Sequence, residues 1–558
     1  MSISRVAVVG AGIVGVALAR ELTCRLPAAE VTVFDKADRL AAHQSGHTSG
    51  IVDPALAAQP GSAEAKLARR GVELLVPFVS ERGIPYRECG QLLIAQNTDE
   101  ADRLEEILAR AEANSIPGVR LLDRKEMLEV EPNARGVLAL YAPHTAVTDF
   151  TALTEALASD VSAAGGTFRF GTEVTGVDVM SNEVRLRMRT AAPEQSEPAV
   201  GPDRSASGAE GSDGDSASGA DRDIDSGSDG DIDSDDDIGS DGDIDDQVHE
   251  APRTYRGDNT TGPVIDFRDE LRSRFGSQDW FNQVEDTIDN LSDRFTNPAS
   301  GRSRHSGGGE PQHTGGDEPR KPAGRERERT VSPEDTEVFD LVIVCAGLQA
   351  DRLAAAAGFD EEPRIVPFTS DYYAIDDPAT DDPAEVVRGI ISTVPDPSSP
   401  FSERSVVRGI RGGLVLGPNT IVSLGRERYD KHGFDLGDMG STVGFKGFWK
   451  FAAQTAKTAA RGAKSAVSTS AFVEEIRKFV PAIDATNVRA DSRGIRAQAI
   501  DAEGTLVDEL RVTTRGRLTM VRSLPRSGAT SALATAERIA NRVLDGSADA
   551  DGRADADG

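Results

Sequence analysis

The first apolar run of the chain, Val6 to Val9, leads at once into glycines at positions 10, 12 and 15, an Ala/Leu-rich stretch from Val16 to Leu26, and a second apolar run, "EVTVFD", ending at Asp35. The two runs read as buried strands and the stretch between them as a helix. Further on, "FRFGTEVTGVDVMSNEVRLRMRT" reads as strands, "FDLVIVCAGLQADRLAAAAG" as a buried strand, a glycine turn and a helix, and "RIVPF" as another strand. The C-terminal "SLPRSGATSALATAERIANRVL" predicts a final helix opened by small residues and hydroxyl caps. "GFKGFWKFAAQTAKTAARGAKSAV" predicts a basic helix; it is the candidate for weak peripheral membrane contact, with a packed surface helix as the alternative.

The pattern stops after Thr190. From residue 191 to 336 the chain is rich in Asp, Gly and Ser, and residues 201–250 hold 18 acidic residues against two arginines. Such a segment cannot bury enough apolar surface to offset its ordering entropy, so it predicts a disordered insertion in a surface connection, as does the tail at 547–558. Its Asp-x-Asp repeats lack the Gly and terminal Glu of an EF-hand loop, and no metal is assigned. Within it, "VIDFRDELRSRFGSQDWFNQVEDTIDNLSDRF" has helical spacing and reads either as a docking element or as a transient helix.

Charge narrows the class of partner. The 558 residues carry a formal net charge of -31, which argues against nucleic acid and fits a salt-rich, halophilic cytoplasm where screening weakens self-repulsion. Cys24, Cys89 and Cys345 are far apart, which suggests neither disulfides nor a zinc site. No apolar run approaches the roughly 18 to 20 residues of a membrane span.

The glycine spacing carries the chemistry. Gly10 permits a tight turn, Gly12 lets backbone approach a pyrophosphate, and Gly15 lets helix pack closely on strand. The helix N-terminus faces the phosphates, and Asp35 stands where a carboxylate meets ribose hydroxyls. FAD is favoured over NAD because the chain returns to the same place twice, at Ala346 and Gly347 after the late strand, and at Ala529, Thr530 and Ser531 before the last helix.

With "HQSGHTSG" (43–50), "PGSAEAKLARRGVELL" (60–75), "GIPYRECGQLLIA" (83–95), "VPDP" (394–397), "LGPN" (416–419) and "GIRAQAID" (494–501), the chain resembles FAD-dependent oxidoreductases of the D-amino-acid-oxidase type, and more narrowly their L-2-hydroxyglutarate oxidase/dehydrogenase branch. The resemblance implies an α/β (α+β) fold: a Rossmann-like FAD-binding domain from 1–55, 145–190, 337–362 and 486–546, and an antiparallel-sheet substrate domain from 56–144 and 363–485. It implies FAD held by Gly10, Gly12, Gly15, Asp35, Lys36, Ser45, Gly46, Ser49, Val174, Ala346, Gly347, Gly494, Ala529, Thr530 and Ser531. It also implies oxidation of a 2-hydroxy acid to a 2-oxo acid, the electrons passing on to oxygen, a quinone or an electron-transfer protein. His43 and His47 fall where histidines stand beside the flavin, as base, attachment point or cofactor contact. Arg496 is the candidate for the substrate carboxylate, Tyr372 for a pocket aromatic, and His144 for support of structure.

Three stretches depart from the family. "DPALAAQ" follows "SGIV" where His-Ser-Gly and aromatics are usual; Thr369, Ser370 and Asp371 stand for Arg-Gly-Glu; and "SERSVVRG" replaces a Val-His-x-Thr pattern. All three lie where substrate is held. Arg404, Arg408 and Arg411 are candidates for restoring positive charge there, with solvent-facing ion pairs as the alternative. The same fold also admits an amine or amino-acid oxidase, or a flavoprotein that has lost catalysis and acts by binding.

Overall fold

A computed structural model describes residues 3–190, 335–375, 386–429, 433 and 435–545. Nearly all of the acidic segment, its amphipathic stretch and the C-terminal tail lie outside the described residues.

Among the described residues the strands form four sheets. The six-stranded sheet runs in the order Arg511–Arg515, Leu518–Ser523, Leu341–Val344, Arg5–Val9, Glu30–Phe34, Thr167–Arg169, parallel except for the hairpin of its first two strands. Its central strands are apolar without interruption because both faces are covered. Val6, Val8, Leu341 and Ile343 face the helices Ile13–Arg25, Phe150–Ala163 and Ala532–Asp545. Ala7, Val9, Val342 and Val344 face a three-stranded sheet (Thr172–Val179, Val184–Thr190, Asp335–Phe339) and the helix Ala350–Ala356. Each fully buried Val or Ile here contributes about 1.5–3 kcal/mol.

The eight-stranded sheet has the order Val488–Ile500, Arg364–Ile375, Leu414–Val422, Ser405–Arg408, Ile390–Thr393, Gln91–Ala95, Leu138–Ala142, Arg120–Leu122. It is antiparallel apart from the Ile390–Thr393 and Gln91–Ala95 pair. Here the structure corrects the sequence-based division: the expectation of 486–546 within the FAD-binding domain fails for Val488–Ile500, which pairs with Arg364–Ile375 from Arg364↔Ile500 to Ile375↔Val488. Its apolar residues decide this. Ile495 and Ala499 bury against Ile365, Leu348 and Val507, while Ile500 buries with Val366, Phe368, Phe445 and Phe451. A small sheet of Ile51–Val52, Ala146–Thr148 and Tyr86–Glu88 completes the four.

One buried cation ties the turn and helix that follow Leu341–Val344 to the eight-stranded sheet. Arg426, 1 % exposed, donates to the Leu348 and Ile365 carbonyls at 2.6 and 3.0 Å and to Asp351 Oδ2 at 2.8 Å. Asp351 in turn accepts from the Ile365 backbone at 3.0 Å. Leu348 and Ile365 both wall the cavity described below.

The acidic segment joins two strands that pair directly, Val184↔Phe339 through Met188↔Asp335. A hairpin tolerates exchange of a long connection for a short one at little cost. Replacing residues 195–330 by a short Gly/Ser turn is therefore expected to leave FAD content and thermal stability unchanged; an apo or insoluble product would show that the segment belongs to the core.

Candidate active site

The loop from Gly10 to Gly15 shows why each glycine is there. Gly10 has φ +112°, and a Cβ on it would lie 2.3 Å from the Cys345 carbonyl oxygen. A Cβ on Gly15 would lie 2.0 Å from the Gly10 oxygen. Gly12 differs: only Ser45 Oγ lies nearby, at 3.2 Å, so a Cβ there would intrude on the cavity rather than on the protein. Gly12 also caps the helix Ile13–Arg25 with no side chain of its own. Asp35 accepts from the Ala11 backbone at 2.6 Å and from Ala37 at 2.8 Å, which fixes both the turn and the carboxylate.

This turn floors a cavity of about 950 Å³. Within it stand two sets of charged and titratable groups, each interacting chiefly within itself. The first is Lys36, Asp35, His43 and Glu427. Lys36 donates to Glu427, which also accepts from Gln349 at 2.7 Å, and Lys36 holds the Glu427 carboxyl below its ordinary range against the effect of burial. His43 Nδ1 shares a 3.1 Å hydrogen bond with Tyr429, and its Nε2 is buried without a partner among the described residues. His47 Nδ1 donates to the His43 carbonyl at 2.8 Å, and its ring stacks on Tyr429 at 4.6 Å. Burial pulls both imidazoles below their ordinary value, so both are neutral at pH 7. Gln44 pins the same loop to the sheet by accepting from Ala497 at 2.9 Å.

The second set is Asp53, Glu64, Glu403, Asp508, Arg496 and Arg526. Arg496, 30 % exposed, pairs with Asp508 at 3.3 Å. Tyr372 stands beside it, and burial pushes its phenol up to about 12, so it remains a donor. Burial also raises the Asp53 and Glu403 carboxyls. Glu64 is pushed up to about 7 by burial and by the Asp53 and Asp508 charges.

A raised carboxyl binds its proton more tightly in the folded than in the unfolded chain. The stability this gives is complete below the ordinary 4.5 and is lost as pH rises to about 7. Glu64→Gln is expected to remove that loss and to gain ~1 kcal/mol at pH 8, discounted for partial exposure. Thermal melts of both proteins from pH 4.5 to 8 check this; parallel curves would refute it.

The structure gathers nearly all the residues anticipated from sequence into the cavity: Gly10, Gly12, Gly15, Asp35, Lys36, His43, Ser45, His47, Ser49, Val174, Ala346, Gly347, Tyr372, Gly494, Arg496, Ala529 and Thr530 all line it. Gly46 and Ser531 do not: Gly46 packs against the Ala41 oxygen, and Ser531 is fully buried. His144 pairs with Glu88 at 2.8 Å, exposed and away from the cavity. Arg404, Arg408 and Arg411 do not line it either; Arg411 pairs with Asp149, and Arg404 lies over the Phe472 ring. Besides Arg496 the cavity is lined by Arg352, Arg522 and Arg526; Arg526, in the turn before the last helix, is the one that acts on the second set. Glu64, Glu403, Asp508 and Tyr429 were not singled out by sequence reading, since each sits in a segment whose own pattern explains it, Glu64 for example as a first-turn helix acid.

Glycines that leave room only on the cavity side, an uncapped helix start and an unpartnered buried imidazole nitrogen fit a bound flavin dinucleotide. Gly10, Gly12, Gly15 and Asp35 would hold its phosphate and ribose part, and Ala346, Gly347, Ala529 and Thr530 would line its length. These features define a flavin-dependent oxidoreductase. The chain belongs to the FAD dependent oxidoreductase family, whose profile matches residues 5–199 and 317–542. It is 26% identical over 546 residues to the mitochondrial L-2-hydroxyglutarate dehydrogenase of Nematostella vectensis, covering 97% of this chain and 90% of that protein. To the mitochondrial L-2-hydroxyglutarate dehydrogenase of Homo sapiens it is 26% identical over 544 residues, covering 96% and 88%. Among solved structures, L-alpha-glycerophosphate oxidase from Mycoplasma pneumoniae, with FAD bound, matches with a TM-score of 0.58 at 16% identity, covering 98% of this chain and 95% of that one. Glycine oxidase from Geobacillus kaustophilus matches at 0.55 and 15%, covering 98% and 96%. These last two likenesses are of fold. Among the described residues no helix is long and apolar enough to cross a membrane.

Proposed function

We propose that the protein oxidises a small 2-hydroxy acid to the 2-oxo acid. The observation that carries this reading is that Arg496 and His47 line one cavity, with the strand of Arg496 packed at Gly494 against the His47 backbone. Gly494 and Arg496 share one face of their strand, and a Cβ on Gly494 would lie 2.9 Å from the His47 carbonyl oxygen. The Arg496 guanidinium matches a carboxylate bidentately. Because His47 Nδ1 carries the proton it donates to His43, Nε2 of the neutral ring is left with its lone pair, ready to take the hydroxyl proton. Tyr372, protonated, donates to an oxygen of the bound acid. FAD, when bound, supplies the acceptor for the hydride that leaves C2. One proton to His47 and one hydride from carbon account for both hydrogens that separate a 2-hydroxy acid from its 2-oxo product. The activity named for the curated relatives supports the substrate class.

The electrons then pass to oxygen, a quinone or an electron-transfer protein, in a cytoplasmic setting. In anaerobic additions of 2-hydroxy acids, L-2-hydroxyglutarate, L-lactate and malate among them, to the protein in molar salt, at least one is expected to bleach the flavin bands. Bleaching by amino acids alone would replace the reading with an amine oxidase, and bleaching by dithionite alone would leave a binding protein.

A further inference from the structure

The second set of charges has more acid than a dicarboxylate substrate allows. Asp53 follows the strand Ile51–Val52, Glu64 opens the helix Ala63–Glu81, and Glu403 precedes the strand Ser405–Arg408, yet all three line the same cavity as Arg496. Asp53 and Glu403 come from two of the three stretches in which the sequence departs from the family. Asp508 is matched by Arg496 at 3.3 Å, and Arg526 is the other cation that acts on Asp53, Glu64 and Glu403; of the remaining arginines lining the cavity, Arg352 pairs with Asp438 and Arg522 donates to the Asp360 and Glu362 carbonyls. Arg526 stands exposed and spends a donor on the Pro400 carbonyl at 2.8 Å. The Glu64 and Glu403 carboxyls have no hydrogen-bond partner among the described residues. Two uncharged groups point the same way. Gln498, 2 % exposed, uses its amide nitrogen on Ala499 and Asp508, while its Oε1 and the Oγ of Ser527, 3 % exposed, have no partner among the described residues. Both residues line the cavity. The wall beyond the guanidinium is therefore rich in acceptors, and a buried acceptor left unmatched is costly.

We propose that the substrate carries one carboxylate, held by Arg496, and at its other end a cationic or donor-rich group, of which an alkylammonium is the type, received by Asp53, Glu64 and Glu403. A second carboxylate there would add negative charge to a site already in surplus, which disfavours it by like-charge repulsion. Burial raises the proton affinity of all three carboxyls, neighbouring acids add to it at Glu64 and Glu403, and an incoming cation relieves it. The inference rests on the hydroxy-acid reading only for the reacting end of the molecule.

The test separates charge from chemistry by using acids that lack the hydroxyl. Glutarate, valerate and 5-aminovalerate have the same chain length, and their binding to the FAD-loaded protein is read as a shift of the flavin absorption band at pH 8 and fixed ionic strength. The expected order is 5-aminovalerate at least tenfold tighter than glutarate, with valerate between them. In the Glu64→Gln/Glu403→Gln double variant the gap is expected to close to within threefold. Glutarate binding tightest, an unchanged gap in the double variant, or no binding by any of the three overturns the proposal. If the variant fails to load FAD, the order in the unaltered protein decides alone. Bleaching by L-2-hydroxyglutarate and by 5-amino-2-hydroxyvalerate is measured separately. The expected binding order with neither compound bleaching sinks the hydroxy-acid reading and leaves the charge inference standing; tight glutarate with bleaching by L-2-hydroxyglutarate does the reverse.

Discussion

Gly12→Ala is expected to yield a folded protein that has lost its flavin. Backbone strain is absent at this position, since Gly12 has φ -75° and an extended ψ that alanine adopts freely. Its added methyl would meet Ser45 Oγ at 3.2 Å, a contact that a serine hydroxyl can relieve by a small rotation. The cost appears only when a pyrophosphate must come against the backbone, and there the methyl stands in its path. We expect FAD affinity to fall by about 100-fold, roughly 2.7 kcal/mol, with the melting temperature of the apo protein within about 3 °C of the parent's. Gly10→Ala is the control. Its methyl would collide with the Cys345 backbone at 2.3 Å and force a left-handed residue, so it should lose both flavin and fold stability. Equilibrium titration with FAD and melts of the stripped proteins read both effects. Retention of full flavin content by Gly12→Ala would place the cofactor elsewhere.

That contrast also explains what could be read from the sequence. The dinucleotide turn was legible because strand, glycines, helix and Asp35 lie within 35 consecutive residues, and their spacing alone fixes their geometry. The late returns at Gly347 and Thr530 were legible for the same local reason, a strand or helix start marked by small residues. Val488–Ile500 was misplaced because its apolar positions suit either sheet; only the matching faces of Arg364–Ile375, more than 110 residues away, decide between them. The acid-lined wall was not legible at all. Asp53, Glu64 and Glu403 meet only in space, and in a chain with 93 acidic residues none stands out. The three rewritten stretches signalled that the pocket differs, but not the sign of its charge, and the arginines that suggested compensation lie outside it.

Arg496→Gln should produce the largest loss of turnover with the flavin intact. The side chain contributes nothing to the glycine turn, and Asp508, which it leaves, still accepts from Gln498 at 3.1 Å, so the fold keeps a partner for that carboxylate. What disappears is the guanidinium that stands beside both Tyr372 and the strand face shared with Gly494. Truncating one member of a hydrogen-bonded charge pair that bound substrate desolvates costs about 2–5 kcal/mol, which corresponds to a fall in kcat/KM of roughly 30- to 5,000-fold. The contact holds the acid before, during and after hydride loss, so most of that fall should appear as a raised KM and less in kcat. Arg496→Lys keeps the charge but not the fork, and an intermediate loss of about tenfold is expected. Steady-state rates, with absorbance spectra to verify flavin content, provide the check. A change in kcat/KM of less than threefold for Arg496→Gln would mean that the carboxylate is held by Arg526, and the orientation of substrate in the cavity would then be reversed.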